Sequence, residues 1–475
     1  MSLLDVPSEV LLLIISYLDI PQVLSLRQTC RDVSHLTRDK TVWFAFLNKQ
    51  RELGDIPFTH AVEDPATPLV ELAPSALESI VVSAKRAADA WMLPRESHPI
   101  LQPPLVGESL NGLNIFLDAW LLIVYLDGLV YLWNIQNSPQ QGLCATLNLR
   151  EQGIIWRSYS ASLTRDNRHI MLAMSYNSAS FETVLYQINI EPSDSAIPRA
   201  FTLVRSFGST VSRTIRTIDV SRQLVAFSYS SHVVDIVCWG TEKDCETYTF
   251  PLDAAEELYN GIIALRLLCS HFLTIRTHTI ELHPCPLEKQ RDPGDRPRLA
   301  LKHALPFPLR EGAVSVSDAE ILRDPGSLVR HVRIKLLAYD AHSLTAYTVR
   351  LILPDAAAAA VPTMDVAFIG EVRGAAPAGG AGPMVRSHWF VSAHALGPQA
   401  VRALWVERDS PTMTRRVMVC TLNRHEAVWH DMGSAASVYA LQSYDLREDL
   451  THCALGEASG RIVLGNRAGH VFLLS

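Results

Sequence analysis

The chain has 475 residues, of which 48% are hydrophobic and 19% charged, and a net charge of −7. That length implies more than one domain at roughly 100–200 residues each, and the apolar share is ample for a large core. The mildly negative balance argues against a nucleic-acid binder, which shows a basic face, and no apolar stretch approaches the roughly 18 residues of a membrane span.

The first element is the most informative. Leu4-Asp5-Val6-Pro7-Ser8-Glu9-Val10 leads into an apolar run that ends at Leu18. On a helix, Val10, Ile14, Tyr17 and Leu18 share one face, while Leu11 and Ile15 lie on another. A helix apolar on every side must be buried all round, and about fifty residues cannot hide that much surface alone. The expectation is that another protein covers one side. Pro7 suits a first helical turn, where its missing N–H costs nothing, and the Glu9 carboxylate suits the positive helix end. Asp19, Pro21 and Gln22 read as a second helix start, with Asp19 as cap and Gln22 in the capping-box position. The competing reading is a plain helical hairpin packed on the rest of the chain. A secretory signal is a poor reading, because Asp5 and Glu9 precede the run and no positive n-region exists.

Leu24, Leu26, Arg27, Cys30, Arg31, Val33 and Trp43 follow in order. With them, the stretch from Leu4 to about Trp43 resembles the F-box, the three-helix motif that binds the Skp-type adaptor of cullin ubiquitin ligases. Val6 stands where the family usually has leucine. The resemblance implies a substrate-recognition subunit of a Skp–cullin–F-box ligase that contributes no catalytic residue. It assigns adaptor contact to Leu4, Pro7, Val10, Ile14, Leu18, Leu24, Leu26, Cys30, Val33 and Trp43.

Residues 51–99 read as a helical linker. A polar helix end at 48–52 runs into a loop with Pro57, Pro65 and Pro68, and a helix follows from Ser75 to Trp91. Leu77, Ile80, Val81, Ala84, Ala88 and Trp91 recur at helical spacing, and Pro94 stops the helix. This helix is expected to fix the N-terminal unit against the body, with Trp91 as a packing anchor.

From about residue 100 to 475 short apolar strands alternate with tight polar turns. Leu122 to Leu126, Asp127-Gly128 and Leu129 to Trp133 form the clearest copy, since Asp-Gly between apolar strands is a strong hairpin signal. Further turns are expected at Ser230-Ser231-His232, Arg276-Thr277-His278, Ala341-His342-Ser343, Asn423 to Glu426 and Asn466 to Gly469, with a weaker one near Ser178-Ala179. Most lie at spacings close to the roughly 40–50 residues of propeller blades. The long gap before Asn423 holds five consecutive alanines and a Gly-rich run, and 354–386 reads as a flexible surface insertion rather than strand. Radial stacking hides both faces of each sheet and leaves short edges. The last strand is expected to complete a shared blade and latch the ring. Trp133-Asn134 and Trp239-Gly240 sit where WD repeats place Trp-Asp, so the body resembles a degenerate WD-type β-propeller of about seven blades. The fold class is therefore multidomain, a small all-α F-box followed by an all-β propeller. A pair of β-sandwiches is the structural alternative.

No phosphate-binding Gly-x-Gly-x-x-Gly, P-loop lysine or His-Glu-x-x-His occurs, nor a Gly-x-Ser-x-Gly elbow. The eight cysteines are scattered without zinc spacing and read as free thiols of a reducing compartment, cytoplasmic or nuclear. The expectation is a non-catalytic receptor without cofactor or metal, whose partners are the adaptor, through it a cullin, and a target protein, with neither nucleic acid nor membrane. A scaffold bound to the adaptor outside a ligase is one alternative. A propeller enzyme with a channel metal is another.

Overall fold

The computed structural model describes residues 6–54, 56–57, 72–101, 109–136, 142–150, 155–177, 181–190, 199–229, 233–240, 246–251, 260–268, 270–285, 301–310, 314–322, 329–339, 343–354, 361–372, 389–422 and 435–474. The expected turns at Ser178-Ala179, Ser230 to His232, Ala341-His342 and Asn423 to Glu426 lie outside them, as does Leu4. Among the described residues no helix is long and apolar enough to cross a membrane.

Five helices come first: α1 (Ser8–Ser16), α2 (Ile20–Leu26), α3 (Arg31–Leu36), α4 (Lys40–Leu53) and α5 (Pro74–Trp91). Pro7 caps α1, its carbonyl accepting from the amides of Val10 and Leu11. The Asp19 amide donates to Gln22 Oε1 at 2.9 Å and the Asp19 side chain faces the Gln22 amide, the expected capping box. Helix α4 starts on Asp39, which accepts from the Thr41 amide, and ends on Gly54 at φ +65°. That left-handed end favours glycine. Leu11 is buried in α1, and Ile15, Val23, Trp43, Phe46 and Leu47 form one core with Leu77 and Val81 of α5. Arg27 closes it, pairing with Glu78 of α5 at 2.6 Å and lying over the Trp43 ring.

The body is a closed ring of seven sheets among the described residues. Blade one is β2–β5 (110–148), blade two β6–β9 (155–209), blade three β10–β13 (214–251) and blade four β14–β17 (262–304). Blade five is β18–β22 (314–372) and blade six β23–β26 (389–442). Blade seven joins β27–β29 (450–474) to β1 (Ser97–Leu101), which pairs antiparallel with β29. The latch expected at the C-terminus is therefore present, and the body begins at Ser97, a few residues before the expected boundary.

Alternation along each strand explains closure. In β3, Leu121, Ile123 and Tyr125 pack on blade seven, while Leu122 and Val124 pack on blade two. Side chains of one strand point alternately to opposite faces, so a strand apolar throughout fits only where both faces are covered. The same holds around the ring. Ala173 meets Phe227, Ala226 meets Phe272, Leu273 meets Ile334, Leu337 meets Trp405 and Leu404 meets Ile462 in successive inter-blade cores. Seven such cores fill the seven gaps, which excludes a pair of sandwiches.

One expectation needs correction. Residues 354–386 are not wholly an insertion, because Thr363–Val372 is β22, paired along nine residues of β21 from Leu344 to Ile352. The alanine and glycine runs flank this strand and mask its composition. Blade six also turns at Ser410 to Met413, between β24 and β25, where no turn was expected. Met413 adopts φ +53° without being glycine, so no turn signature marks it.

Candidate docking surface

Helix α1 presents two unlike faces. Leu11 and Ile15 are buried, Ile15 in the helical core, whereas Val10 is 45% exposed, Leu13 58%, Ile14 44% and Tyr17 79%. These four residues fall on one stripe at helical spacing. An apolar stripe left in water on a packed helix marks an interaction site. Pro7 is also exposed, Leu18, Leu24 and Leu26 are partly exposed, and Cys30 is exposed at the cap of α3. The structure thus brings Pro7, Val10, Ile14 and Leu18 onto α1 and its flanks, with Leu24, Leu26 and Cys30 on and after α2.

Val33 and Trp43 are corrections. Trp43 is fully buried, donates its indole N–H to the Thr37 carbonyl at 3.0 Å and packs at a tilt against Phe46. Val33 is buried as well. Neither faces outward, so both shape the unit from within. Leu13 was not singled out by sequence reasoning. Its position three residues after Val10 and four before Tyr17 carried the signal.

The unit is held to the ring by α5. Its first half belongs to the helical core, and Trp91 at its end belongs to the core of blades six and seven beside Leu404, Val417 and Leu474. Trp91 donates to the Cys420 carbonyl at 3.1 Å. Arg402 and Arg95 both lie over its ring, at 5.0 Å and 5.5 Å. The expected anchoring role of Trp91 matches these contacts.

The first strands of the blades surround a central cavity of about 1430 Å³ that opens toward the turns between first and second strands. Its wall is stitched from blade to blade. The Asp318 amide donates to the Pro398 carbonyl, Ser459 donates to Asp118, and the Glu457 carboxylate accepts from the amides of Gln399, Val401 and Arg402. Burial pushes the Glu457 carboxyl up to about 7 against the pull of those three amides and of Arg402. Among the described residues no three His, Cys, Asp or Glu side chains are grouped to hold a metal. The six cysteines within them are unpaired. Arg213 bonds Asp235, Arg216 bonds Ser228, Arg333 pairs with Glu320 and Arg402 lies over the Trp91 ring, so these arginines are spread over blades three, five and six.

Residues 3–49 match the F-box-like family model. No curated protein sequence matches the chain. Among solved structures, the chain is similar to the β-propeller domain of Cps50 (Swd1) from Myceliophteria thermophila. That alignment has 10% identity and a TM-score of 0.47, and covers 78% of this chain and 99% of that one. It is also similar to the WD40 domain of SCAP from fission yeast, at 11% identity and TM-score 0.44, covering 80% and 98%. The C-terminal WD40 domain of Sif2 gives 8% identity and TM-score 0.45, covering 81% and 99%. The N-terminal unit is F-box-like, and the ring of seven sheets that follows it is a β-propeller. Trp133 is the penultimate residue of the third strand of blade one, and Trp239 follows the third strand of blade three directly.

Proposed function

We propose that the chain is the substrate-recognition subunit of a Skp–cullin–F-box ubiquitin ligase of the cytoplasm or nucleus. The α1 stripe docks the Skp-type adaptor, and the propeller holds a target protein. The observation that carries this reading is the exposure of Val10, Leu13, Ile14 and Tyr17 within a segment that matches the F-box-like family. Binding energy in such an interface concentrates in a few desolvated apolar anchors, and α1 offers four in one row. The chain makes no bonds in this scheme. It holds the target near the transfer site and raises its effective concentration there. The link through α5, shared by both cores, keeps adaptor and target at a fixed separation.

The test is co-purification from cells. Wild-type chain is expected to bring down a Skp-type adaptor and a cullin. Ile14→Asp is expected to lose both while its propeller stays folded by circular dichroism. Adaptor without cullin would favour a scaffold outside a ligase. Undiminished adaptor recovery with Ile14→Asp would refute the docking assignment.

A further inference from the structure

We infer that the junction between α5 and blade seven is a binding site for a small oxyanion, phosphate or carboxylate, carried on a compact apolar body. Two guanidinium groups converge there from residues three hundred positions apart. Arg95 follows α5, and Arg402 opens the second strand of blade six. Both stack on Trp91. Gly460, at φ +71°, leaves the space into which they reach. A methyl group on it would lie 3.3 Å from Arg402 Nη1 and 3.6 Å from Arg95 Nη2.

Their hydrogen bonds go to backbone carbonyls. Arg402 Nη1 donates to Glu457 and Ala458, and Arg95 donates to Gly460 and Trp91. Arg402 is only 1% exposed, yet its Nη2 has no partner among the described residues, and neither does Arg95 Nε. A buried guanidinium N–H left unpaired is costly. Burial accordingly pulls both groups below the ordinary arginine range, Arg402 to about 10. Arg461, on the wall of the adjoining groove, adds a third positive charge nearby and donates to the Asp118 carbonyl.

The carboxylates facing the cluster are Glu457 and Asp118, and both have other partners. Glu457 accepts the three amides of blade six. Asp118 Oδ1 accepts the Ser459 amide and hydroxyl. Three arginines therefore stand against two carboxylates. An oxyanion suits this arrangement, because planar guanidinium forks bind such groups with short, charge-assisted bonds. Beside the cluster runs a groove of about 680 Å³, lined by Arg95 and by Ile80, Ala84, Leu93, Leu117 and Leu474. Apolar walls with a few converging polar groups are the ordinary make-up of a ligand site. A ligand there touches helix and propeller at once.

Calorimetric titration of the full chain in phosphate-free buffer tests this with phenyl phosphate, benzoate, inorganic phosphate and neutral benzyl alcohol. One saturable site is expected for phenyl phosphate or benzoate, at least tenfold tighter than for benzyl alcohol. The tighter of the two anions identifies the head group. Arg95→Gln is expected to weaken binding at least tenfold. Leu93→Glu, an exposed position on the groove wall, is expected to do the same by repulsion and decides the matter if Arg95→Gln does not fold. No saturable heat with any anion, or affinities unchanged in Leu93→Glu (an adventitious ion only), would overturn the inference.

Discussion

The indole N–H of Trp91 donates to the backbone carbonyl of Cys420 at 3.1 Å, so the last residue of the linking helix is bonded into the third strand of blade six. Trp91 is also packed on Leu404 and Val417. Removing a buried tryptophan side chain costs about 3–5 kcal/mol. Trp91→Ala is expected to lower stability by that amount in urea unfolding. Trp91→Phe keeps most of the packing but removes the indole hydrogen bond to Cys420, which costs about 0.5–1.5 kcal/mol. Equal losses for the two variants would show that the packing of the ring matters little, and an unchanged Trp91→Phe that the hydrogen bond does.

Ile14 and Ile15 are neighbours in sequence with opposite fates, 44% and 3% exposed. Truncating the buried one leaves a cavity beside Trp43 and Leu77, and Ile15→Ala is expected to cost about 2–5 kcal/mol. Ile14→Ala removes surface that water already reaches, so the isolated chain should change by no more than roughly 0.5 kcal/mol. Adaptor binding is expected to rank the two the other way, with Ile14→Ala weakening it at preserved stability. Melting curves and a pull-down on the same preparations separate these effects.

Gly128 tests the most legible turn. It sits at φ +91° between β3 and β4, where the left-handed backbone alone costs an alanine roughly 1–2 kcal/mol. A Cβ there would also strike the indole of Trp156, which packs at a tilt against Tyr176 with ring centroids 4.5 Å apart. Gly128→Ala is therefore expected to lower the melting midpoint clearly. Gly208→Ala in β9 is the control, since nothing lies within 4 Å of its Cβ position. A drop of equal size in both would point away from the turn geometry.

What could be read from sequence follows from where local chemistry and fold agree. The α1 stripe was visible because period and burial coincide, and the β3–β4 hairpin because Asp127-Gly128 supplies both a side-chain acceptor for Leu129 and a left-handed glycine. Other turns hide. Leu117, Asp118, Ala400 and Met413 all take left-handed φ without being glycine, and neighbouring blades hold at least Asp118 in place through Ser459. Strand β22 was missed because its alanine- and glycine-rich flanks dominate the local composition. The burial of Val33 and Trp43 was missed because a resemblance reports which positions matter, not which way they face. Arg95 and Arg402 meet only through ring closure, and no local pattern announces that.

Two buried glutamates are expected to bend the stability profile in opposite directions. Burial alone would raise Glu281, but His283, Arg276 and Thr279 outweigh it and hold the carboxyl at about 2, below its ordinary 4.5. A depressed value means stability that is present above about 4.5 and lost as pH falls toward about 2, worth on the order of 3 kcal/mol. Glu457 is the reverse. Its value, raised to about 7 by burial, means stability present below about 4.5 and lost as pH rises through about 7, of similar order. Together they place the optimum between these limits, with one glutamate shaping each flank. Glu281→Gln should flatten the acid limb alone and Glu457→Gln the neutral limb alone, read from urea midpoints between pH 3 and pH 8. The second variant also retains a single carbonyl oxygen for the three amides of Gln399, Val401 and Arg402, so its plateau is expected to lie lower. A wild-type chain that gains stability from pH 5 to pH 8 would refute the role given to Glu457.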